Sequence, residues 1–485
     1  MISSPLLPNM SGYINGAWCA ADSGARMPVV NPATRETLAE VPQMGRAEAV
    51  RAVESAVRAL SKPAGIPKRR KWLNQIADLL VENRREFGRI ITLENGKPLK
   101  EGMGEVDYAA GFFRYCAQHA TKLRSRKLKE QPRGHEWTVH YRPAGVAGLI
   151  SPWNFPLALI AKKLAAALAA DCPSVIKPAG QTPLSTIALM TLLEKLDLPA
   201  GKVNLVIGKA GEIGGVLCEH PAVRAISFTG STEVGKVLSR NVADHVKRLA
   251  LELGGNAPFI VFEDADLDLA ADHLILNKFR ASGQTCVCTN RVYVQKSIAD
   301  AFTQKVVERV GRLKVGDGMA EDTDIGPLID RAGFDKVRQH VEDAVAKGAR
   351  CVAGGSPPEP GDHRGYYFPP TVLRGVRGDS MCVREETFGP VVPIIEFNNE
   401  KEAVERANST EYGLAAYLFT QDERRAKRLI GNLQFGHVGH NSGTGPTPEA
   451  PFGGMKQSGY GREGGLEGLM EFVEPQTQAR TFQKP

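Results

Sequence analysis

The sequence has no CxxC pair, no His/Cys cluster at zinc-ligand spacing and no low-complexity tract. Its eight cysteines are scattered over 485 residues, which excludes a disulfide framework or structural metal site and suits a reducing compartment. No apolar run is long enough to cross a bilayer: the longest, LALIAKKLAAALAA, is broken by Lys162 and Lys163. MISSPLLPNM at the start has neither a basic segment nor a sustained apolar one, so no secretory leader is expected and a cytoplasmic location is. Concentrated charge is missing too. The net charge is only +7, and basic residues alternate with acids, as in AKGAR and QDERRAKR. These read as solvated helix faces, so neither a nucleic-acid nor a membrane partner is expected.

What is present is an ordinary globular composition, 42% apolar and 24% charged, on a chain too long for one core. From about Ala47 to Ser125 apolar residues recur at helical spacing, punctuated by Gly96 and Pro98. Between about Val146 and Gly255, GVAGLI, PSVIK, VNLVIG, AISFTG and LALELGG alternate with helical segments, as in a parallel sheet. A second set follows: PFIVF, RVYVQ, PTVL and VVPIIEF, with amphipathic stretches such as AFTQKVVERVGRL between them. HEWTVHYRP and EFVEPQTQARTF alternate like edge strands outside both cores and are expected to pair with another subunit. The predicted fold class is α/β, two doubly wound domains plus a small β element. The Rossmann-like cofactor domain covers 1–122 and 144–252, the catalytic domain 253–457, and oligomerisation strands 123–143 and 471–485.

Five short segments carry candidate chemistry. Asn154 in SPWNFP lies in a strand-to-helix turn, either as a helix cap or as an amide donor for an oxyanion, with Pro156 suited to open the helix. Lys177 in PSVIKPAGQTP emerges at the carboxyl edge of the sheet, where nucleotides bind in such folds. AISFTGSTEVGKVL sets Gly230 and Gly235 around Ser231 in a strand–turn–helix that presents N–H groups to a phosphate, although it is not GxGxxG. Glu252 in LELGG stands at a strand end beside two glycines, either as a desolvated general base or as a partner for a lysine. Cys286 in FRASGQTCVCTNR follows a turn whose backbone can approach a ligand; it is either a nucleophile, which needs a base or positive surroundings, or an inert buried thiol.

PWNFP, KPAGQTP, FTGSTEVG, LELGG, GQTC, EETFGP and PFGGMKQSGYGRE resemble, in order and spacing, the aldehyde dehydrogenase superfamily, over nearly the whole chain from YINGAW onward. ELGGNAPFIVFEDADLD with FRASGQTCVCTNR is similar to succinate-semialdehyde dehydrogenases and their near relatives. The resemblance implies Cys286 as nucleophile, Glu252 as general base, and Asn154 with the Cys286 N–H as oxyanion hole. It implies an NAD or NADP site with Lys177 at the adenosine ribose, Gly230, Ser231 and Gly235 near the pyrophosphate, Glu386 at the nicotinamide ribose, and Trp153, Gly180, Leu253 and Phe388 around the cofactor. Phe452 would line the substrate channel.

Relatives preferring NAD often carry a glutamate at the position of Gly180, so its absence leaves NADP open. Lys162 stands where an arginine is usual, and Arg280 and Thr447 would complete a pocket for a distal carboxylate. The alternative is that Lys162 and Arg280 pair with acids such as Glu263 or Asp264. The substrate implied is succinate semialdehyde, with glutarate, 2-oxoglutarate or sulfonated aldehydes as alternatives. Cys288 matches a second thiol of several relatives and suggests a reversible disulfide with Cys286. A CoA-acylating enzyme would lack Glu252, and a non-catalytic binding protein would have lost Cys286, Glu252 or Asn154. A homo-oligomer, dimer or tetramer, is expected, and no metal.

Overall fold

The structure, a computed structural model, describes residues 1–357 and 365–481. The helical opening consists of Arg46–Leu60, Ile66–Glu82, Arg84–Asn95 and Leu99–His119. The first of these buries Ala49, Ala52, Val53, Ala56 and Ala59, one face at helical spacing, and that face is why it forms against the sheet. Gly96, at φ 92°, ends the third in the left-handed conformation, and Pro98 precedes the fourth.

Five parallel strands, Val146–Ile150, Ser174–Lys177, Val203–Leu205, Val223–Thr229 and Arg248–Glu252, form the centre of an eight-stranded sheet. The strands are buried almost throughout, and helices Ala158–Ala169, Leu184–Leu193, Ala210–Glu219 and Thr232–Ala243 make the crossovers that parallel pairing requires. Their register brings the carboxyl ends together: Ile150 opposite Lys177, Phe228 opposite Ile150, Thr229 opposite Glu252. Three of the segments singled out above therefore leave the sheet on one edge, and SPWNFP leaves beside them.

The hairpin Gly12–Ile14 and Ala17–Cys19 extends this sheet at one side. At the other, Gly459–Tyr460 pairs antiparallel with Arg248–Glu252, so the chain returns here after building the second sheet. That sheet has seven strands and is parallel apart from the outermost pair, Arg350–Ala353 with Thr371–Arg374. Ala415–Phe419 and His437–His440 extend it beyond the four strands read from the sequence.

The two outlying strands depart from expectation. Val473–Thr481 pairs antiparallel with His135–Pro143 over nine residues, from Val473 opposite Pro143 to Thr481 opposite His135, and Arg126–Lys127 adds a third short strand. Each thus finds its first partner within its own chain, because alternation shows an edge strand without showing which edge it meets. Among the described residues no helix is long and apolar enough to cross a membrane.

Candidate active site

The cysteine loop is built on strained backbone. After helix Leu267–Phe279 and Arg280, three residues in succession, Ala281, Ser282 and Gly283, have φ of 48°, 59° and 76°. Left-handed conformations at Ala and Ser cost of order 1–3 kcal/mol each and persist only where the surroundings impose them. Here Glu101 accepts the Ala281 N–H at 2.7 Å and Ser282 Oγ donates to the Gly326 carbonyl at 2.8 Å. A Cβ on Gly283 would lie 2.3 Å from the Gly389 oxygen, so only glycine passes.

The loop then delivers Cys286, half-buried, against Gly255, where a Cβ would come within 2.3 Å of the Cys286 carbonyl. The two glycines after Glu252 thus allow strand end and cysteine loop to touch. Burial pushes the Cys286 thiol up to about 12; Lys162 pulls the other way, and Glu386 and Glu252 add to the rise. The positive surroundings expected of a reactive thiol reduce, among these influences, to one lysine.

Asn154 does not cap the following helix, which begins at Ala158, two residues beyond Pro156. Its Nδ2 donates instead to the Gln284 carbonyl at 2.9 Å, which sets the amide against the cysteine loop. Lys97 Nζ donates to the Asn154 carbonyl at 2.6 Å and pairs with Glu105 at 2.7 Å, all three buried. Glu105 in turn accepts the N–H groups of Leu157 and Ala158. This network fixes the turn from below.

Glu252 is 2% exposed, and among the described residues neither carboxylate oxygen has a hydrogen-bond partner. Burial, with Glu463 adding to it, raises the carboxyl well above the usual range, against Lys162, Lys163 and Arg462. A lysine partner for Glu252 was one reading of the sequence, but both neighbouring lysines are taken: Lys162 and Lys163 each form a buried ion pair with Glu463. One carboxylate offsets only one of the two charges, and desolvation lowers the Lys163 ammonium below its usual range. Lys163 also donates to Ser227 and Thr229.

A cleft of 370 Å³ lies over the carboxyl edge of the first sheet, and Cys286 and Asn154 are in its wall. Trp153 and Phe388 meet edge to face at 5.6 Å, Phe388 held at φ 56°. Gly230, Ser231 and Leu253 also line the cleft, with Leu253 packed on Gly235. Ser231 caps helix Thr232–Ala243, accepting the Val234 N–H at 3.3 Å, so the helix N-terminus opens on the cleft. Glu386 accepts the Gly255 N–H at 3.0 Å, and burial pushes its carboxyl up to about 7.

Lys177, Gly180, Gly235 and Glu252 are not in the wall of this cleft. Lys177 is buried, and desolvation lowers its ammonium to about 8. Gly180 lines an adjoining cavity that shares Ile329 and Asp330 with the cleft, and a Cβ there would stand 3.2 Å from the Met27 methyl. A helix N-terminus for a pyrophosphate, an uncompensated lysine and an aromatic pair suit a dinucleotide.

The residues expected at the far end of the substrate separate. Arg280 lies 4.8 Å over the Phe155 ring, and among the described residues its guanidinium makes no hydrogen bond or ion pair. Glu263 accepts from Ser297 and Asp264 pairs with Arg425, so neither takes Arg280 or Lys162. Lys162 stands 5.2 Å from the Phe452 ring but is committed to Glu463. Thr447 is exposed; in its loop it is Gly445 that approaches Arg280, a Cβ there standing 3.9 Å from Nη1.

Cys288 is buried; its Sγ lies 3.2 Å from the Gly283 carbonyl and 3.7 Å from Lys278 Nζ, and both it and Cys286 are free thiols. No group of three His, Cys, Asp or Glu among the described residues is placed to hold a metal ion.

Sequence reasoning missed Glu463, Lys163, Lys97, Glu105 and Glu101. Glu463 ends the quoted motif PFGGMKQSGYGRE, yet nothing in that string announces a lysine partner 300 residues away. Two consecutive lysines in an apolar helix were the available signal.

Residues 18–478 match the aldehyde dehydrogenase family. A glutarate-semialdehyde dehydrogenase of Pseudomonas putida is 45% identical over 468 residues, 95% of this chain and 96% of that protein. A 3-sulfolactaldehyde dehydrogenase of Pseudomonas putida is 45% identical, covering 98% and 97%. The NADP-linked succinate-semialdehyde dehydrogenase of Escherichia coli is 43% identical, covering 95% of each. Among solved structures, an oxidoreductase from Marinobacter aquaeolei superposes with a TM-score of 0.97 at 60% identity, over 99% of this chain and 100% of that one. Fold, cleft and relatives agree: the chain belongs to the aldehyde dehydrogenase family and uses NAD(P).

Proposed function

We propose that the chain oxidises succinate semialdehyde, or a similarly short anionic aldehyde, to the carboxylic acid. The observation that carries this reading is Arg280: a cation on the loop that delivers Cys286 whose guanidinium, with Glu101 only in its wider electrostatic surroundings, makes no ion pair or hydrogen bond among the described residues. In the reaction the Cys286 thiol gives up its proton to solvent, the thiolate Sγ adds to the aldehyde carbon, and the new oxyanion is held by Asn154 Nδ2 and the Cys286 N–H. A nicotinamide held beside Cys286 in the cleft lined by Trp153, Glu386 and Phe388 would supply the hydride acceptor this oxidation needs. The thioester left on Cys286 is hydrolysed by a water that gives its proton to Glu252, for which an unpartnered, desolvated carboxylate is suited.

Lys177, Gly230, Ser231, Gly235 and Glu386 bind the cofactor, with Trp153, Leu253 and Phe388 packed around it. The unit around the first sheet carries this binding and the unit around the second carries the cysteine. The open edge of Val473–Thr481 supports assembly into a homo-oligomer. Glutarate semialdehyde and sulfolactaldehyde, named for two relatives, would meet the same arginine.

An aldehyde screen with NAD and NADP, following the reduced cofactor, tests this reading. Arg280→Ala is expected to depress kcat/KM for succinate semialdehyde roughly ten- to a hundred-fold more than for butanal, the worth of a charge-assisted contact. Equal losses on both aldehydes would reduce the arginine to a support of the loop and end the semialdehyde assignment.

The cofactor preference is open to a second variant. No carboxylate at Gly180 opposes a 2′-phosphate, and Lys177 is on the same segment. Gly180→Glu, displacing the flexible Met27 side chain, should raise KM for NADP roughly tenfold or more relative to NAD. Equal shifts in the two would mean that position 180 does not read the ribose.

A further inference from the structure

Helix Leu99–His119 turns one face to the site, and three of the four residues on it are accounted for. Glu101 accepts the N–H of Ala281, next to Arg280; Glu105 accepts the N–H groups that open the helix carrying Lys162. Phe112, eleven residues after Glu101, packs in the core. Between them, at the same helical spacing, stands Tyr108, its ring edge to face with Phe112 at 4.8 Å. One residue before Phe112, Gly111 lies against Pro448, so the loop carrying Gly445 closes over this face. Tyr108 thus sits where the Arg280 loop, the Lys162 helix and the 445–448 loop converge.

The Tyr108 ring is half-buried, and its hydroxyl has no hydrogen-bond partner among the described residues; nor is it one of the fully enclosed orphan atoms. It therefore faces open space. Lys162, Arg280, Glu463 and Cys286 all lie within its electrostatic reach. Burial pushes the phenol up to about 12, so at neutral pH it is a neutral O–H donor. Lys162, by contrast, is already bound to Glu463, and a substrate anion brought to it would meet that carboxylate. Lys162 thus already has its counter-charge at bonding distance, whereas Arg280 forms no ion pair among the described residues.

We propose that the distal carboxylate of the substrate is held by the Arg280 guanidinium together with the Tyr108 hydroxyl, and that Lys162 serves the Glu463 pair instead. This rests on the reading of the substrate as an anionic aldehyde. A planar, bidentate cation on one side and one hydroxyl on the other match a carboxylate's two oxygens. Tyr108 also bears on chain length: the separation between this hydroxyl and Cys286 limits how many methylenes lie between carboxylate and aldehyde.

The test compares Tyr108→Phe, Arg280→Ala and Lys162→Met, each on succinate semialdehyde and butanal. In Tyr108→Phe, which keeps the ring and its packing, the ratio of the two kcat/KM values is expected to fall about tenfold toward butanal, mostly through KM for the semialdehyde. In Lys162→Met the losses should be alike for both aldehydes and fall on kcat, because the change reaches Glu463 and Cys286 rather than the carboxylate. An unchanged ratio in Tyr108→Phe beside a lowered one in Arg280→Ala would overturn the tyrosine's role and leave the anionic substrate standing. Unchanged ratios in both would overturn the two readings together. A selective loss in Lys162→Met would return the second contact to the lysine.

Discussion

Cys286→Ala is expected to abolish aldehyde oxidation, by roughly 10⁴-fold or more, while the cofactor still binds. The loop geometry supports so large an effect. Ala281 and Ser282 are held at left-handed φ in the loop leading to this cysteine, and Gly255 is pressed against its carbonyl, so the backbone is positioned whatever side chain follows. Removing the thiol therefore leaves the cleft intact and removes only the atom that bonds to the aldehyde carbon. Cofactor binding is read from the fluorescence of Trp153, which lines the cleft beside Phe388. Turnover in the variant above the background of contaminating enzyme would remove Cys286 from the mechanism, since no second thiol shares the cleft wall: Cys288 is buried behind Lys278 and Gly283.

Glu252→Gln is expected to stop the reaction halfway. One equivalent of reduced cofactor per site should appear in a burst, after which steady turnover falls roughly 10²- to 10⁴-fold and the acyl-enzyme becomes visible by intact mass spectrometry. The carboxyl's pKa is raised by burial, with Glu463 adding to it. Its base form consequently appears only as the pH climbs through that raised value. In the unaltered enzyme the hydrolytic step should therefore quicken with rising pH and level off once Glu252 is ionised, and in the variant that limb should vanish. Undiminished turnover, or a pH limb that survives the substitution, would mean that another group activates the water.

The sequence alone was enough for the α/β class, the run of helices before the sheets and the strand-end positions of Lys177 and Glu252, because hydrophobic period and Gly/Pro punctuation are local properties. It was also enough to single out Asn154 and Cys286, through residue types at spacings that recur in a family. It stopped short wherever partners are distant along the chain. Asn154 reads equally well as a cap until its amide is seen on the Gln284 carbonyl, 130 residues on. HEWTVHYRP and EFVEPQTQARTF look like two lone edges until register joins them. Lys162 and Arg280 look like equivalent cations in the sequence, yet Glu463 pairs with one, and among the described residues no carboxylate forms an ion pair with the other. Tyr108 carries no motif, and only the face it shares with Glu101 and Glu105 sets it between them. Whether a buried charge is spent or free depends on which side chains the fold brings within about 4 Å, and in a dry interior that distance decides its chemistry.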